Sequence, residues 1–230
     1  MYPDNGSAGV LVESNIIYHP RPPASNIPCP HCNDPGLYVS YAVFEDGTRD
    51  CVKRNNILVL DGSNATFNGA AGVSWDKAQQ GNSSAYIAAL HHVQWDEGLY
   101  AERYPALAAL NDWWPVGGAL ACAADEHCGA APWGNVLSTN VIVGAMDVFT
   151  PPPPQYLFPG QFNNSNNLVT AGDPGWANKD PRGNLDFTLN NDSPAWALGF
   201  QRIPSECFGR GKRCPGEPDW GNAQRRVLGG

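Results

Sequence analysis

Four short stretches of the chain share one pattern of hydrophobic and polar positions. Each begins with an apolar residue or Asn, continues with two or three polar residues and an Asn, and ends with two aliphatic residues. The aliphatic residues are β-branched or Leu, which favour strands, so the pattern predicts two short strands joined by a tight bend at the Asn. The four stretches are Leu11–Ile17, Val52–Leu58, Val136–Ile142 and, less regularly, Asn163–Val169.

The bend asparagines predict that these stretches stack on one another. Asn15, Asn56, Asn140 and Asn167 are 41, 84 and 27 residues apart, compatible with solenoid turns of roughly 20–50 residues that carry insertions. Stacked at the strand spacing of about 4.8 Å, the four side chains would form a ladder, inward and hydrogen-bonded to one another and to the backbone. The expected fold is therefore an all-β solenoid, and the alternative is a β-sandwich whose hairpins happen to contain Asn.

Two insertions interrupt the repeat, at residues 20–36 and 83–134. The first is Pro-rich and predicts an irregular loop. The second predicts short helices, because Ser84 can cap Ala85–Leu90 and Pro105 stands at the first position before Ala106–Leu110. We expect residues 1–205 to form the repeat domain and residues 206–230 to be a Cys-containing tail.

Composition and charge exclude several classes of protein. Gly 25 and Pro 21 among 230 residues are too many for a helical bundle or a coiled coil. The net charge of −8 argues against general nucleic-acid binding, because phosphate contacts need a basic face. No stretch of about 18 uninterrupted apolar residues is present, so we expect no membrane span.

Cysteines and glycosylation sequons indicate an oxidising compartment. The pairs Cys122/Cys128 and Cys207/Cys214 lie in Gly- and Ala-containing segments and are expected to form disulfides, with Cys51 as a buried thiol. We interpret Cys29-Pro30-His31-Cys32 as a pair of cysteines that staples a loop, rather than as half of a zinc site. The sequons stand at Asn5, Asn64, Asn82, Asn163 and Asn191. No signal peptide is visible, so the chain is expected to be the C-terminal part of a longer secreted glycoprotein.

Several short sequence motifs, some near the C-terminus and others upstream, occur in the same order as in a known protein family. They are Gly172–Trp176, Asp186–Leu189 and Asp192–Phe200, with Asp4–Val10, Glu102–Leu107, Gly134–Val136 and Asn140–Val141. Together they resemble right-handed parallel β-helix proteins of the pectate-lyase-like superfamily, in which the C-terminal phrases seal the last turn. The resemblance implies that a long groove binds polysaccharide. Only about four repeat phrases are visible, so the N-terminal turns are expected to be missing.

The resemblance also implies which residues would carry chemistry. Polysaccharide lyases of this kind need a Lys or Arg base, and cations such as Ca²⁺ to neutralise a uronate carboxylate. The one dense candidate is Asp46, Arg49, Lys53 and Arg54, although alternation places Lys53 and Arg54 on opposite faces of a strand. The other interpretation of this cluster is a solvated turn.

Trp113 and Trp114 are candidates for stacking on sugar rings, and the alternative is that they anchor the insertion. His91 and His92 are adjacent, so they lack the spacing of a zinc pair on a helix. The sequence thus leaves two functions open: a polysaccharide lyase or glycoside hydrolase, and a non-catalytic glycan-binding or adhesive scaffold.

Overall fold

The computed structural model describes residues 8–19, 41–46, 48–60, 64–68, 92, 94–109, 118–128, 131–145, 147–150, 154 and 157–205. The chain divides into two units, Met1–Phe200 and Gln201–Gly230. All the elements and contacts below belong to the first unit.

The described strands form three sheets, each with parallel pairing only. Successive strands along the chain belong to the first, the second and the third sheet in turn, and this order repeats. The first sheet is β1 (Leu11–Glu13), β4 (Val52–Arg54), β7 (Asn135–Ser138) and β10 (Phe162–Ser165). The second is β2 (Ile16–His19), β5 (Ile57–Leu60), β8 (Val141–Val143) and β11 (Leu168–Thr170). The third is β3 (Tyr41–Asp46), β6 (Asn64–Asn68) and β9 (Phe149–Thr150).

Helices occupy the second insertion and the C-terminal segment. Within the described residues they are α1 (Gly98–Arg103), α2 (Pro105–Ala108), α3 (Gly118–Ala124), α4 (Pro181–Asn184) and a 3-10 helix (Pro194–Leu198). Pro105 is the first residue of α2, where its missing N–H costs no hydrogen bond. The helix expected at Ala85–Leu90 and the loop expected at residues 20–36 lie outside the described residues.

The expected fold class, an all-β right-handed parallel β-helix, is wrong. The described residues form two four-stranded parallel sheets and a smaller third sheet, with strands of only two to six residues, and helices contribute as well. The strands of the first sheet are short because a bend follows each of them after three or four residues. The helices arise where Ala-rich sequence such as Gly118–Ala124 has a high helix propensity.

A left-handed residue ends every strand of the first sheet. Ser14, Asn55, Thr139 and Asn166 have φ of 56°, 54°, 52° and 56°, and each directly precedes one of the four repeat asparagines. The backbone N–H of Ser14 donates to Arg54 O at 3.4 Å, and that of Thr139 donates to Ser165 O at 3.2 Å. We call these two-residue turns, Ser14–Asn15, Asn55–Asn56, Thr139–Asn140 and Asn166–Asn167, the Asn bends.

The core lies between the first and second sheets. Leu58, Leu60, Leu137 and Ile142 form a buried cluster, and Ile17 packs against it. Every residue of β5 and β8 is buried, so these two central strands of the second sheet are covered on both faces.

The C-terminal segment, residues 172–200, packs against the second sheet. The ring of Phe187 lies 5.2 Å from that of Tyr18 in β2, and Trp176 lies 5.6 Å from Phe187. Asp173 accepts hydrogen bonds from the backbone of Gly175 and Trp176, and the Ser193 hydroxyl donates to Pro174 O at 2.6 Å. The phrases that carry the family resemblance therefore fix turns and packing in this segment.

Candidate functional site

The four repeat asparagines come together in a continuous hydrogen-bonded ladder. Asn56 Oδ1 accepts from the backbone and side-chain nitrogens of Asn15 at 2.9 and 3.1 Å. Asn140 Oδ1 accepts from the same two atoms of Asn56, both at 2.9 Å, and Asn167 Oδ1 accepts from those of Asn140 at 2.8 and 2.9 Å. Asn56 and Asn140 are buried. The ladder is internal, and its role is structural.

Arg49, the first candidate base, is committed to internal hydrogen bonds. Its Nε donates to Asp50 Oδ2 at 3.0 Å, its Nη1 to Cys128 O at 2.9 Å and its Nη2 to Glu126 O at 3.0 Å. Only 8% of the residue is exposed. A guanidinium held in this way anchors the loop of residues 125–128 to the first sheet, and its protons are not available for exchange with a substrate.

The other members of the charged cluster do not gather around Arg49. Lys53 lies on the inward side of β4 and is 3% exposed, whereas Arg54 lies on the outward side and pairs with Glu13 at 2.6 Å. Asp46 ends β3, and its side chain is outside the described residues. The cluster that the sequence suggested is thus split between the core, the surface and a loop anchor.

The loop that Arg49 holds is closed by a disulfide. Cys122 and Cys128 are bridged, with Cα atoms 5.3 Å apart, and Cys122 is the fifth residue of α3. Cys51 is a buried thiol that donates to Arg49 O at 3.3 Å. Cys207 and Cys214, like Trp113 and Trp114, lie outside the described residues.

A pocket of about 400 Å³ opens where this loop meets the start of β7 and the helical insertion. The described residues that line it include the polar Arg49, Asp50, Glu126 and His127 and the aromatic Trp133. Small residues also line it, namely Ala106 and Ala109 at α2 and Gly134 and Gly160 before the strands.

Asp50 occupies an unusual backbone position in this pocket. The strand register aligns it with Gly9 and Gly134, and all three residues have positive φ, 53° for Asp50. A left-handed backbone costs most L-residues about 1–2 kcal/mol; glycine avoids this cost, and Asp, like Asn, bears it more readily because its short polar side chain can bond locally. The Asp50 carboxylate lies over Gly134, where a Cβ would collide with Oδ1, and about half of the side chain is exposed.

Backbone contacts hold Asp50 in that position. Its N–H donates to Trp133 O at 2.8 Å, and Arg49 fixes one carboxylate oxygen. Asn135 donates to Thr48 O at 2.8 Å and accepts from Cys51 N at 3.2 Å, which ties the two sides of Asp50 to β7. The strain is therefore maintained by several buried hydrogen bonds, as is typical of strained residues at functional sites.

The remaining groups of the pocket are also positioned by local contacts. The backbone N–H of His127 donates to Asp125 Oδ1 at 2.9 Å, and the imidazole Nδ1 lies 3.5 Å from the same oxygen. Trp133 packs over Gly160, where any Cβ would meet its ring at 2.5 Å. The glycine thus leaves room for the indole that forms the pocket wall.

Asp50, Glu126, His127 and Trp133 are pocket residues that the sequence did not identify as site residues. One signal was available. Asp50 stands two residues before the repeat stretch that begins at Val52, as Gly9 stands two before Leu11 and Gly134 two before Val136, so an Asp replaces glycine in the repeat. The approach of residues 126–127 to it depends on the disulfide loop, which no local pattern reveals.

No family model, curated protein or solved structure matches this chain. None of the described helices is long and apolar enough to cross a bilayer. Among the described side chains, no group of three or more His, Cys, Asp and Glu is placed to hold a metal ion. A role for Ca²⁺ remains a prediction.

Proposed function

We propose that the pocket around Asp50 binds a sugar unit of a neutral extracellular polysaccharide. The observation that carries the proposal is Asp50 itself, a strained non-glycine residue whose half-exposed carboxylate lies in the pocket beside an indole wall. Strain that adds no packing but presents a carboxylate is typical of binding and catalytic sites.

The lining suits a sugar chemically. Carboxylates such as Asp50 and Glu126 accept hydrogen bonds from hydroxyl groups, and an imidazole such as that of His127 can donate or accept. The apolar face of a sugar ring packs against an aromatic wall, here Trp133. Few polar groups within a partly apolar pocket are the usual means of orienting a small ligand.

Charge favours a neutral sugar over a uronate. Among the described lining residues, two carboxylates stand against one guanidinium, and the three Arg49 nitrogens already donate within the protein. A uronate would place a third carboxylate beside Asp50 and Glu126, and Arg49 is the one Lys or Arg among these described residues. This argues for recognition of a neutral glycan rather than for lyase chemistry.

Glycoside hydrolysis is the second candidate, favoured by one observation. Two acidic residues, Asp50 and Glu126, line the same pocket, and hydrolysis of a glycosidic bond uses a pair of carboxyl groups as acid and as base or nucleophile. A non-catalytic glycan-binding scaffold needs the pocket but does not need a pair of carboxyl groups in it.

The disulfide supports an extracellular location for the proposed function. Bonds such as Cys122–Cys128 persist in oxidising compartments and are rare in the cytosol. Among the described sequon asparagines, Asn163, on the edge strand β10 of the first sheet, and Asn191 are exposed.

Calorimetric titration with cellohexaose, xylohexaose, mannohexaose and polygalacturonate tests the proposal. We expect one of the neutral hexasaccharides to bind and Asp50→Asn to weaken that binding about tenfold or more, because hydrogen bonds to a charged group are strong. Asp50→Gly relieves the backbone strain and should lose binding to the same extent while remaining folded. Asp192→Asn removes an exposed carboxylate outside the pocket and is the matched control.

Binding of polygalacturonate alone, or full affinity in both Asp50 variants, would overturn the proposal. Release of reducing ends from the bound hexasaccharide, abolished by Asp50→Asn and by Glu126→Gln, would identify the hydrolase. Binding without such release would identify the scaffold.

A further inference from the structure

Two exposed tyrosines lie in the helical segment that also contributes residues to the pocket lining. Tyr100 in α1 is 47% exposed and Tyr104, directly after α1, is 56% exposed. Their ring centroids lie 6.4 Å apart with planes 32° from parallel, which is the separation of a contacting aromatic pair. We call Tyr100 and Tyr104 the tyrosine platform.

The platform and the pocket are parts of one short segment. Tyr104 precedes Pro105, the first residue of α2, and Ala106 and Ala109 of that segment line the pocket. The Cα atoms of Tyr104 and Ala106 can be at most about 7 Å apart, because they are two residues apart in sequence. The backbone of Tyr104 is therefore within about 7 Å of that of a residue that lines the pocket.

The segment has a defined conformation at this junction. The N–H of Tyr104 donates to Tyr100 O at 2.8 Å, which closes α1, and Ala108 N donates to Tyr104 O at 3.2 Å, which continues into α2. Both tyrosines are thus held on the backbone that positions the pocket wall. The platform keeps its place relative to the pocket without needing a ligand.

We infer that the tyrosine platform is a second sugar subsite, so that the protein recognises an extended neutral glycan rather than a terminal sugar alone. This inference rests on the proposed function of the pocket. Tyrosine combines an apolar ring face with a hydroxyl, and it loses little conformational entropy when it contacts a ligand. Those properties match a sugar, which has C–H faces and hydroxyl edges.

The nearby Leu99 provides a matched control. It lies in the same helix, is 62% exposed and is also apolar, but it has no ring and no hydroxyl. A protein partner or self-association through a general apolar patch would use Leu99 as well as the tyrosines. A glycan subsite depends on the rings alone.

The experiment measures how the affinity depends on the length of the glycan. The ligands are the monosaccharide, trisaccharide and hexasaccharide of one series, built from glucose, xylose or mannose. The series used is the one whose hexasaccharide the pocket binds. In the unaltered protein we expect affinity to rise with length. Tyr100→Ala and Tyr104→Ala should each lower affinity for the hexasaccharide roughly 3–10-fold, with the monosaccharide unchanged. Tyr100→Phe, Tyr104→Phe and Leu99→Ala should retain most of the length dependence.

The possible failures are distinguishable. Equal affinity for monosaccharide and hexasaccharide in the unaltered protein overturns the platform and leaves the pocket intact. An equal loss in Leu99→Ala also overturns it, because the surface would then be a general apolar patch. If none of the sugars binds the unaltered protein, the proposed function fails and this inference fails with it.

Discussion

At the scale of single residues, the Asn ladder shows why one side chain recurs at the bends. Each internal Asn accepts two hydrogen bonds through Oδ1 and donates through Nδ2, Asn140 to Lys53 O, Ser138 O and Asn167 Oδ1. Asp could accept but not donate, and Ser is too short to reach carbonyls on two strands. Only an amide of this length satisfies the buried backbone groups at a stacked bend.

Replacement of Asn140 by Ala should lower the free energy of unfolding by about 1–3 kcal/mol, because the backbone N–H of the buried Asn56 loses its acceptor. Chemical denaturation followed by circular dichroism measures the change. Asn15→Ala is the comparison: its Nδ2 donates to Glu13 O and Asn56 Oδ1, and its surroundings are only partly buried, so the loss should be smaller. A larger loss at Asn15 than at Asn140 would contradict the ladder as a buried stabilising feature.

Asp186 is a residue with a pH-dependent contribution to stability. Hydrogen bonds from the hydroxyl and backbone of Thr188, and then from Asn178, lower the pKa of this carboxyl below its ordinary value. A lowered folded-state pKa stabilises the protein above the unfolded-state pKa of about 3.9, and that contribution is lost as the pH falls through the folded-state pKa.

Thr188→Val should therefore raise the pKa of Asp186 and reduce the stability that is lost on acidification below about pH 4. Carboxyl NMR titration gives the pKa, and denaturation at several pH values gives the stability. Thr188→Ser retains the hydroxyl and should keep the pKa low. If the pKa were the same in the Val and Ser variants, the Thr188 hydroxyl would not be its cause.

At the scale of elements, the Asn bends explain the length of the strands. Each strand of the first sheet ends in a residue with positive φ, and the residue there is Ser, Asn, Thr and Asn in chain order. Asn tolerates the left-handed region because its short polar side chain bonds locally, whereas a β-branched residue there is strained. Thr139 is the one β-branched residue among the four Asn bends, and its hydroxyl donates to Ser138 O at 2.7 Å.

Thr139→Asn should stabilise the protein by about 0.5–1 kcal/mol, because it relieves part of the cost of a left-handed Thr. A rise in the urea midpoint without a change in the slope of the transition would demonstrate this. Ser138→Asn, one residue earlier on β7, is the control and should bring no gain, because its backbone is extended. Destabilisation by Thr139→Asn would show that the Thr139 hydroxyl bond outweighs the strain.

At the scale of the whole molecule, the sheets and the helical insertion are joined by polar contacts between residues far apart in sequence. Arg49 bonds to carbonyls 77 and 79 residues later, and the buried Gln161 donates to Ala123 O at 2.9 Å, 38 residues away. The disulfide Cys122–Cys128 shapes the loop to which Arg49 binds. The pocket exists only because these contacts bring residues 126–127 to Asp50.

Arg49→Lys should cost about 1.5–3 kcal/mol, because Lys cannot reproduce three directed hydrogen bonds from one planar group and leaves buried carbonyls without donors. Arg54→Lys is the control, since Arg54 pairs with Glu13 at the surface and should change stability by less than about 1 kcal/mol. Thermal and urea unfolding of both variants check the difference. Equal effects would mean that Arg49 is no more important to the fold than a surface ion pair.

Parts of the candidate site were within reach of sequence reasoning and others were not. The positions of the bends and the exposure of Arg54 opposite Lys53 follow from local periodicity, because alternation along a strand is set by backbone geometry. The hydrogen bonds of Arg49 do not, since they depend on a loop nearly 80 residues later. For the same reason, Arg49 could be interpreted from the sequence as a possible base. In the structure it anchors the loop of residues 125–128.

The sequence by itself determined the local features of this protein: where short strands begin, where an Asn ends a bend and where Pro105 starts a helix. Those features depend on φ/ψ preferences and on side-chain bonds to neighbouring backbone, which act within a few residues. Tertiary structure alone decided that Asp50 is aligned with Gly9 and Gly134 in a left-handed conformation. It also decided that Glu126, His127 and Trp133 line the same pocket as Asp50. That arrangement required stacked strands and a disulfide loop, whose contacts join segments tens of residues apart and leave no periodic pattern in the chain.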